Sequence, residues 1–114
     1  MKIELLYFDG CPSWQAGLEN LKAALRLGGL DVSIELVRVT NDADAAERKF
    51  LGSPSFRLNG VDLWDEERDS YSLSCRVYAT PEGMKGSPSI SMLQEAIRRA
   101  VYPNSPRNAR ARMD

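Results

Sequence analysis

The sequence predicts an α/β fold in which helices flank a mixed four-stranded sheet and a long loop precedes the last helix. A short, nearly continuous apolar run at residues 3–8 indicates a strand that is buried on both faces. Apolar residues at helical spacing follow this run and recur near the C-terminus, and Asn59-Gly60 between two apolar stretches marks a tight hairpin. With 114 residues, of which 43% are hydrophobic and 27% charged, the chain suits one domain.

A strand and an amphipathic helix open the chain. Asp9 and Gly10 end the first strand, and Pro12 suits the first position of a helix because its missing N–H would be unpaired there. Apolar side chains then recur at intervals of four, three and four residues: Trp14, Leu18, Leu21 and Leu25. Gly28 and Gly29 are expected to end this helix.

A second strand and a shorter helix follow. The apolar positions of residues 32–39 nearly alternate and are mostly β-branched, which favours a strand. Asp42 is the expected cap of a helix that Gly52-Ser53-Pro54 ends. Because parallel strands joined by a helix take a right-handed crossover, we expect strands one and two to be parallel in a sheet of order two, one, three, four.

The second half of the chain begins with a hairpin and ends with a helix. Asn59-Gly60 supplies the two positive φ values of a primed turn, so residues 56–64 predict two antiparallel strands. Residues 65–88 are polar and rich in turn residues, which predicts a long loop with one short extended piece. Ser91 with Gln94 resembles a capping box at the start of the last helix. Residues 1–102 are then the domain, and residues 103–114, which lack an apolar period, are a disordered tail.

Composition narrows the classes of function. The sequence contains no histidine, which excludes Ser/His and Cys/His nucleophile pairs and histidine zinc sites within it. A formal charge of -1 gives no general attraction to nucleic acid or anionic membranes, and we expect neither as a partner. No secretory signal or run of about 20 apolar residues is present, so we expect a cytoplasmic protein whose two cysteines stay reduced or cycle.

Two short segments resemble the thioredoxin-like superfamily. Cys11-Pro12-Ser13-Trp14 is similar to its active-site turn with the second cysteine replaced, and Gly52-Ser53-Pro54-Ser55 resembles the segment whose cis proline faces the active-site thiol. The similarity, including the order of elements, covers most of residues 1–102. More closely, the chain resembles short bacterial thioredoxin-fold proteins, some of which are labelled as relatives of alkylmercury lyase. The resemblance implies a thioredoxin-like sheet and thiol chemistry, although the turn lacks the second cysteine of a dithiol reductase.

Cys11 is the first candidate catalytic residue. It lies at a turn from a strand into a helix, where free N–H groups and the positive end of the helix dipole stabilise a thiolate. The negative charge of Asp9, two residues away, opposes ionisation of the thiol. The alternative is that Cys11 is a small buried apolar residue.

The resemblance also supplies candidate substrate contacts. A cis bond at Pro54 would turn the backbone of Ser53 and Ser55 toward an extended ligand beside Cys11, and Pro12 and Trp14 belong to the active-site turn. For Pro54 the alternative is an ordinary helix terminator. Trp14 also heads the apolar stripe of the first helix, which favours a place in the core.

Cys75 is the second candidate catalytic residue, as a thiol that resolves a mixed disulfide at Cys11. Arg76 beside it would favour a thiolate, and strand direction brings the loop back toward Cys11, where Leu73, Val77 and Tyr78 could cover apolar surface near Trp14. The alternative is an apolar filler between Leu73 and Val77. Bridging requires the two Cα atoms to lie within about 7 Å of each other.

Three functions remain open from the sequence. The first is a thiol redox protein in which Cys11 attacks a disulfide or traps a small thiol such as glutathione, with Cys75 as resolving thiol and with no cofactor or bound metal. The second is a non-catalytic binding module that uses the groove around Pro54 or a homodimer face. The third is a protein that handles mercury or another thiophilic metal through its two thiols.

Overall fold

A four-stranded mixed sheet forms the centre of the computed structural model, which describes residues 1–102. Its strands are β1 (Ile3–Tyr7), β2 (Ile34–Arg38), β3 (Ser55–Leu58) and β4 (Val61–Asp62), and their spatial order is β2-β1-β3-β4. β1 runs parallel to β2 and antiparallel to β3. The predicted order and the parallel pair are confirmed; the predicted tail, 103–114, lies outside the described residues.

The hairpin between β3 and β4 turns at the predicted Asn-Gly pair. Asn59 has φ 52° and Gly60 has φ 86°, the left-handed values that a primed turn requires. The bond between Ser53 and Pro54, just before β3, is cis, as expected from the sequence. β1 therefore lies between a parallel and an antiparallel neighbour, and β3 begins immediately after the cis proline.

Helices cover both faces of the sheet. They are α1 (Trp14–Leu27), α2 (Asp42–Arg48) and α3 (Ile90–Val101). Leu5 is 0% and Leu6 1% exposed although the two are consecutive and point to opposite faces, which confirms a doubly buried first strand. Within residues 1–102, no helix has the length and apolar content needed to cross a membrane.

Two apolar clusters correspond to the two faces. The larger one joins β1 and β3 to α1 and α3, and its buried members include Ile3, Leu5, Leu21, Phe56, Leu93 and Ile97. The smaller one lies under α2 and is formed by Leu6, Val39, Ala45 and Phe50. The sheet is thus the middle of three layers, and the C-terminal end of β1 leads to Cys11.

All three helices begin one or more residues away from the predicted positions. α1 starts at Trp14, with Ser13 as its N-cap, so Pro12 precedes the helix. The side chain of Asn41, not Asp42, caps α2 by accepting from the N–H of Asp44 at 2.8 Å. Ser89 caps α3 in the same way, which moves its start ahead of the predicted Ser91.

The long segment between β4 and α3 contains more structure than one extended piece. β5 (Tyr78–Thr80) and β6 (Gly83–Lys85) form a separate antiparallel hairpin. The Thr80 hydroxyl closes its turn by donating to the carbonyl of Gly83 at 2.7 Å and accepting from the N–H of Glu82 at 3.1 Å. These local hydrogen bonds satisfy the backbone of a segment whose polar composition indicated a loop.

Candidate functional site

Cys11 is held against the cis-proline segment. Its N–H donates to the carbonyl of Phe8 at 3.1 Å, which closes the turn that leaves β1. Its side chain is buried, with 3% of the residue exposed, and its Sγ donates to the carbonyl of Ser53 at 3.4 Å. The structure therefore brings together the two segments on which the resemblance rested.

The backbone of Ser53 is paired with residues of its own chain. Its N–H donates to the carbonyl of Ser74 at 2.8 Å, and its carbonyl accepts from the N–H of Arg76 at 3.0 Å. These two bonds form a parallel bridge between Ser53 and Cys75. Residues 74–76 thus occupy the place in which the sequence led us to expect an extended ligand.

The two thiols meet at this bridge. Partial burial, followed by the charge and hydrogen bonding of the neighbouring Cys11, raises the pKa of Cys75. Both cysteines are free, and they differ in accessibility because Cys11 is buried whereas Cys75 is exposed. The prediction that the loop brings Cys75 to the Cys11 end of the sheet is confirmed.

Arg76 does not favour a thiolate at Cys75, contrary to the sequence-based expectation. Successive side chains of an extended segment point in opposite directions, and that of Arg76 points into the core. Its Nη1 contacts the two carboxylate oxygens of Asp62 at 2.9 and 3.1 Å, and its Nη2 donates to the carbonyl of Trp64 at 2.5 Å. The ion pair is almost wholly buried, so Arg76 anchors the segment that carries Cys75.

Gly52 and Tyr78 complete this anchor. Gly52 has φ 113°, and a Cβ on it would lie 2.9 to 3.1 Å from the Arg76 Cβ, N and Cα atoms, so only glycine allows this close approach. The Tyr78 hydroxyl donates to the carbonyl of Pro54 at 2.5 Å, and burial raises the pKa of Tyr78. The Arg76 guanidinium also lies over the Tyr78 ring, 5.2 Å from its centre.

The predicted substrate contacts divide into buried and surface residues. Ser53, Pro54 and Ser55 are buried, and the Ser55 hydroxyl is engaged inside the chain, because it donates to the carbonyl of Gly52 and accepts from Arg76. Pro12 is exposed. Trp14 is half-buried and stacks on Tyr7 with ring centres 4.2 Å apart, which fits its reading as a core residue. In this arrangement only Pro12 and part of Trp14 are open to a ligand.

The long segment also contacts the turn after Cys11 through Gly86. The backbone of Gly86 lies against the side chain of Ser13 so closely that a Cβ on Gly86 would collide with it.

Of the three residues expected to lie near Trp14, Tyr78 belongs to the larger apolar cluster, Leu73 packs on the smaller one and Val77 is exposed.

Asp9 has a partner that the sequence did not indicate. Its carboxylate lies 3.3 Å from Arg38 at the end of β2, and both side chains are largely exposed. The carboxylate that the sequence placed near Cys11 is therefore paired with a cation.

Sequence reasoning missed the role of the four residues that hold Cys75 in place: Gly52, Asp62, Arg76 and Tyr78. One signal was present for the ion pair, because Asp62 interrupts an apolar strand and Arg76 interrupts another apolar stretch. Charged residues at such positions are buried only when they are paired. The partner, however, lies 14 positions away and cannot be chosen without the fold.

Among residues 1–102, no group of three or more cysteine, aspartate or glutamate residues is arranged to hold a metal ion. No family model, curated protein or solved structure matches the chain. The candidate site is therefore defined by its own geometry: a buried thiol, an exposed thiol beside it, and a backbone bridge that holds the two together.

Proposed function

We propose that this chain is a thiol–disulfide redox protein of thioredoxin-like fold in which Cys11 and Cys75 form one redox pair. The observation that carries the proposal is the meeting of the two thiols at Ser53, whose carbonyl accepts from the Cys11 thiol and whose backbone is bridged to Cys75. The sheet order and the cis proline beside Cys11 support the thioredoxin-like assignment. The missing second cysteine of the turn is replaced by one from a distant segment.

The chemistry of such a pair is a two-step exchange. One thiolate attacks a disulfide RS–SR′, forming a mixed disulfide and expelling R′S⁻, which takes up a proton. The other thiol then loses its proton and attacks the mixed disulfide, so that the Cys11–Cys75 bond forms and RSH leaves. The protein loses two electrons and two protons, and the substrate gains both. Two equivalents of an external thiol reverse the reaction: the first forms a mixed disulfide with the protein, and the second releases the protein thiol and leaves as RS–SR.

The geometry favours small or exposed disulfides as partners. The Ser53 backbone, which could bind an extended peptide, is already occupied by residues 74–76. Glutathione disulfide and exposed protein disulfides fit this arrangement, and no cofactor is needed because the electrons come from thiols. We place the protein in the cytoplasm, where the glutathione pool would reset the pair.

Mild oxidation followed by non-reducing peptide mapping tests the proposal. Treatment of the reduced protein with excess glutathione disulfide should give one Cys11–Cys75 linkage and no stable glutathione adduct. Cys75→Ser should lose the linkage, and Cys11→Ser should accumulate a glutathione adduct at Cys75. Two separate adducts on the wild-type protein, without a cross-link, would contradict the proposal.

Binding of a thiophilic metal is a second candidate, favoured by the same adjacency of the two thiols. Two thiolates suffice for a soft cation that accepts linear coordination. Equilibrium dialysis of the reduced protein against Hg²⁺ should then give one tightly bound ion per chain, lost in Cys11→Ser and Cys75→Ser alike. Binding that persists in both variants would remove this candidate.

A further inference from the structure

We propose that Cys75, not Cys11, makes the first attack on an external disulfide, and that Cys11 is the resolving thiol. This inference rests on the proposed redox function and reverses the order of attack that the sequence suggested. It identifies the residue that meets the substrate, and it implies that the substrate approaches from the side of the long segment rather than along the turn of Cys11.

The first argument is the accessibility of the two cysteine residues. Cys11 is 3% exposed, whereas Cys75 is exposed. A disulfide has to align three sulfur atoms for exchange, so a bulky substrate cannot reach a thiol that the chain itself covers. Residues 74–76 pair with Ser53, whose carbonyl accepts from the Cys11 thiol, and Gly86 lies against the side chain of Ser13 in the turn after Cys11.

The second argument is the strength of that cover. The Cys11 thiol bonds to the Ser53 carbonyl, and moving residues 74–76 away from Ser53 breaks two backbone hydrogen bonds of 2.8 and 3.0 Å. The buried contacts of Arg76 with Asp62 and Trp64 resist the same movement. The state in which Cys11 meets solvent is therefore a minor population, while Cys75 needs no opening.

The third argument is that one sulfur serves both directions. The Cys75 thiolate attacks RS–SR′, forming the Cys75–SR bond and releasing R′S⁻. Cys11 beside it then loses its proton and attacks the Cys75 sulfur, forming the Cys11–Cys75 bond and releasing RS⁻, which takes up a proton. In the reverse reaction an external thiolate attacks the Cys75 sulfur, and Cys11 leaves. Substrate and reductant both react at Cys75, which is an exposed residue, and Cys11 reacts only inside the protein.

The proton balance at Cys75 has a measurable consequence. Its raised pKa lowers the fraction of thiolate at neutral pH, while a thiolate of higher basicity is the stronger nucleophile. The rate of the first step should therefore continue to rise with pH beyond the ordinary range of a cysteine thiol. Cys11→Ser removes the Cys11 contribution to that shift, so the profile of Cys75 should move toward lower pH in this variant.

The experiment compares the two single-thiol variants with an aromatic disulfide, 5,5′-dithiobis(2-nitrobenzoate), whose leaving thiolate is followed by absorbance. Cys11→Ser retains Cys75 and should react about tenfold or more faster than Cys75→Ser, whose Cys11 reacts only from the opened state. In 8 M urea, where the cover is gone, the two variants should react at similar rates. The wild-type protein should release two equivalents, the second at a rate independent of probe concentration.

A second measurement needs no variant. The wild-type protein is labelled with a substoichiometric amount of a bulky maleimide and mapped by mass spectrometry, and the label should appear on Cys75 first. Faster reaction of Cys75→Ser, or first labelling at Cys11, would overturn the assignment while leaving the redox function intact if the cross-link still forms. Failure of the wild-type protein to form the cross-link would instead refute the redox function.

Discussion

The buried ion pair between Arg76 and Asp62, which lies next to the candidate site, should contribute strongly to the stability of the folded protein. In the wild-type protein the N–H of Trp64 donates to the Asp62 carboxylate at 2.8 Å. In Asp62→Asn the amide oxygen remains an acceptor for this N–H and for Arg76, but the guanidinium loses its counter-charge. Removing one partner of a buried pair typically costs about 3 to 5 kcal/mol. Because the hydrogen bonds are partly retained, we expect the lower end, about 3 kcal/mol, for the free energy of unfolding.

Urea denaturation of the reduced protein at pH 7 measures this loss. The matched control is Glu66→Gln, the same chemical change at a carboxylate that pairs with Arg68 at 2.7 Å on the surface, which should change stability by no measurable amount. A redox readout separates anchoring from stability alone: Asp62→Asn should slow closure of the Cys11–Cys75 bond at urea concentrations where the protein is still folded. A loss in Asp62→Asn as small as that of the control would refute the reasoning.

Three further predictions concern the residues around the bridge. Gly52→Ala and Gly83→Ala both place a side chain at positive φ (113° and 106°), at a cost of order 1 to 3 kcal/mol. Only the alanine at position 52 meets Arg76, so thermal melts should show that Gly52→Ala loses about 1 to 3 kcal/mol more stability than Gly83→Ala. Equal losses would argue against the close approach. Ser55→Ala should cost about 1 to 3 kcal/mol of stability because it breaks two hydrogen bonds. Ser53→Ala should be neutral or stabilising, since among residues 1–102 the buried Ser53 hydroxyl has no partner. A larger loss for Ser53→Ala than for Ser55→Ala in urea titrations would contradict this argument. Tyr78→Phe should cost about 1 to 2 kcal/mol of stability at pH 7. Because the pKa of Tyr78 is raised in the folded state, the contribution of its hydroxyl to stability is complete below about pH 10 and is lost as pH rises further. The difference in stability from wild type should therefore shrink in alkaline denaturation curves, and a constant difference would contradict this prediction.

The parts of the fold that the sequence predicted are those set by local patterns. The apolar run of β1 required burial on both faces, and the Asn59-Gly60 turn required a hairpin, so the positions of four strands followed from chirality and chain direction. The return of Cys75 followed from the direction in which β4 leaves the sheet. The helices begin away from their predicted starts because several neighbouring residues, serine and asparagine among them, are plausible caps. Only the final geometry selects one of them.

The arrangement of charges around the site was not predictable in the same way. Arg76 was assigned to the thiol because it is adjacent in sequence, whereas the fold buries its side chain and pairs it with Asp62. Such pairing depends on register and on which face each side chain takes, and neither is encoded within a short window. The same limit applies to Ser53. Its backbone was expected to face an extended ligand, and instead it pairs with residues 74–76.

The distance along the chain between the two thiols makes the proposed redox pair a property of the folded state. Two cysteines on one helical turn stay neighbours when tertiary structure is lost, but Cys11 and Cys75 are neighbours only while residues 74–76 remain bridged to Ser53. Linkage then acts in both directions: closing a loop of about 64 residues should stabilise the oxidised protein by about 4 kcal/mol, and unfolding should favour the dithiol by the same amount. Heat or denaturant would thus shift the oxidation equilibrium of this protein, and its thiols would report whether it is folded.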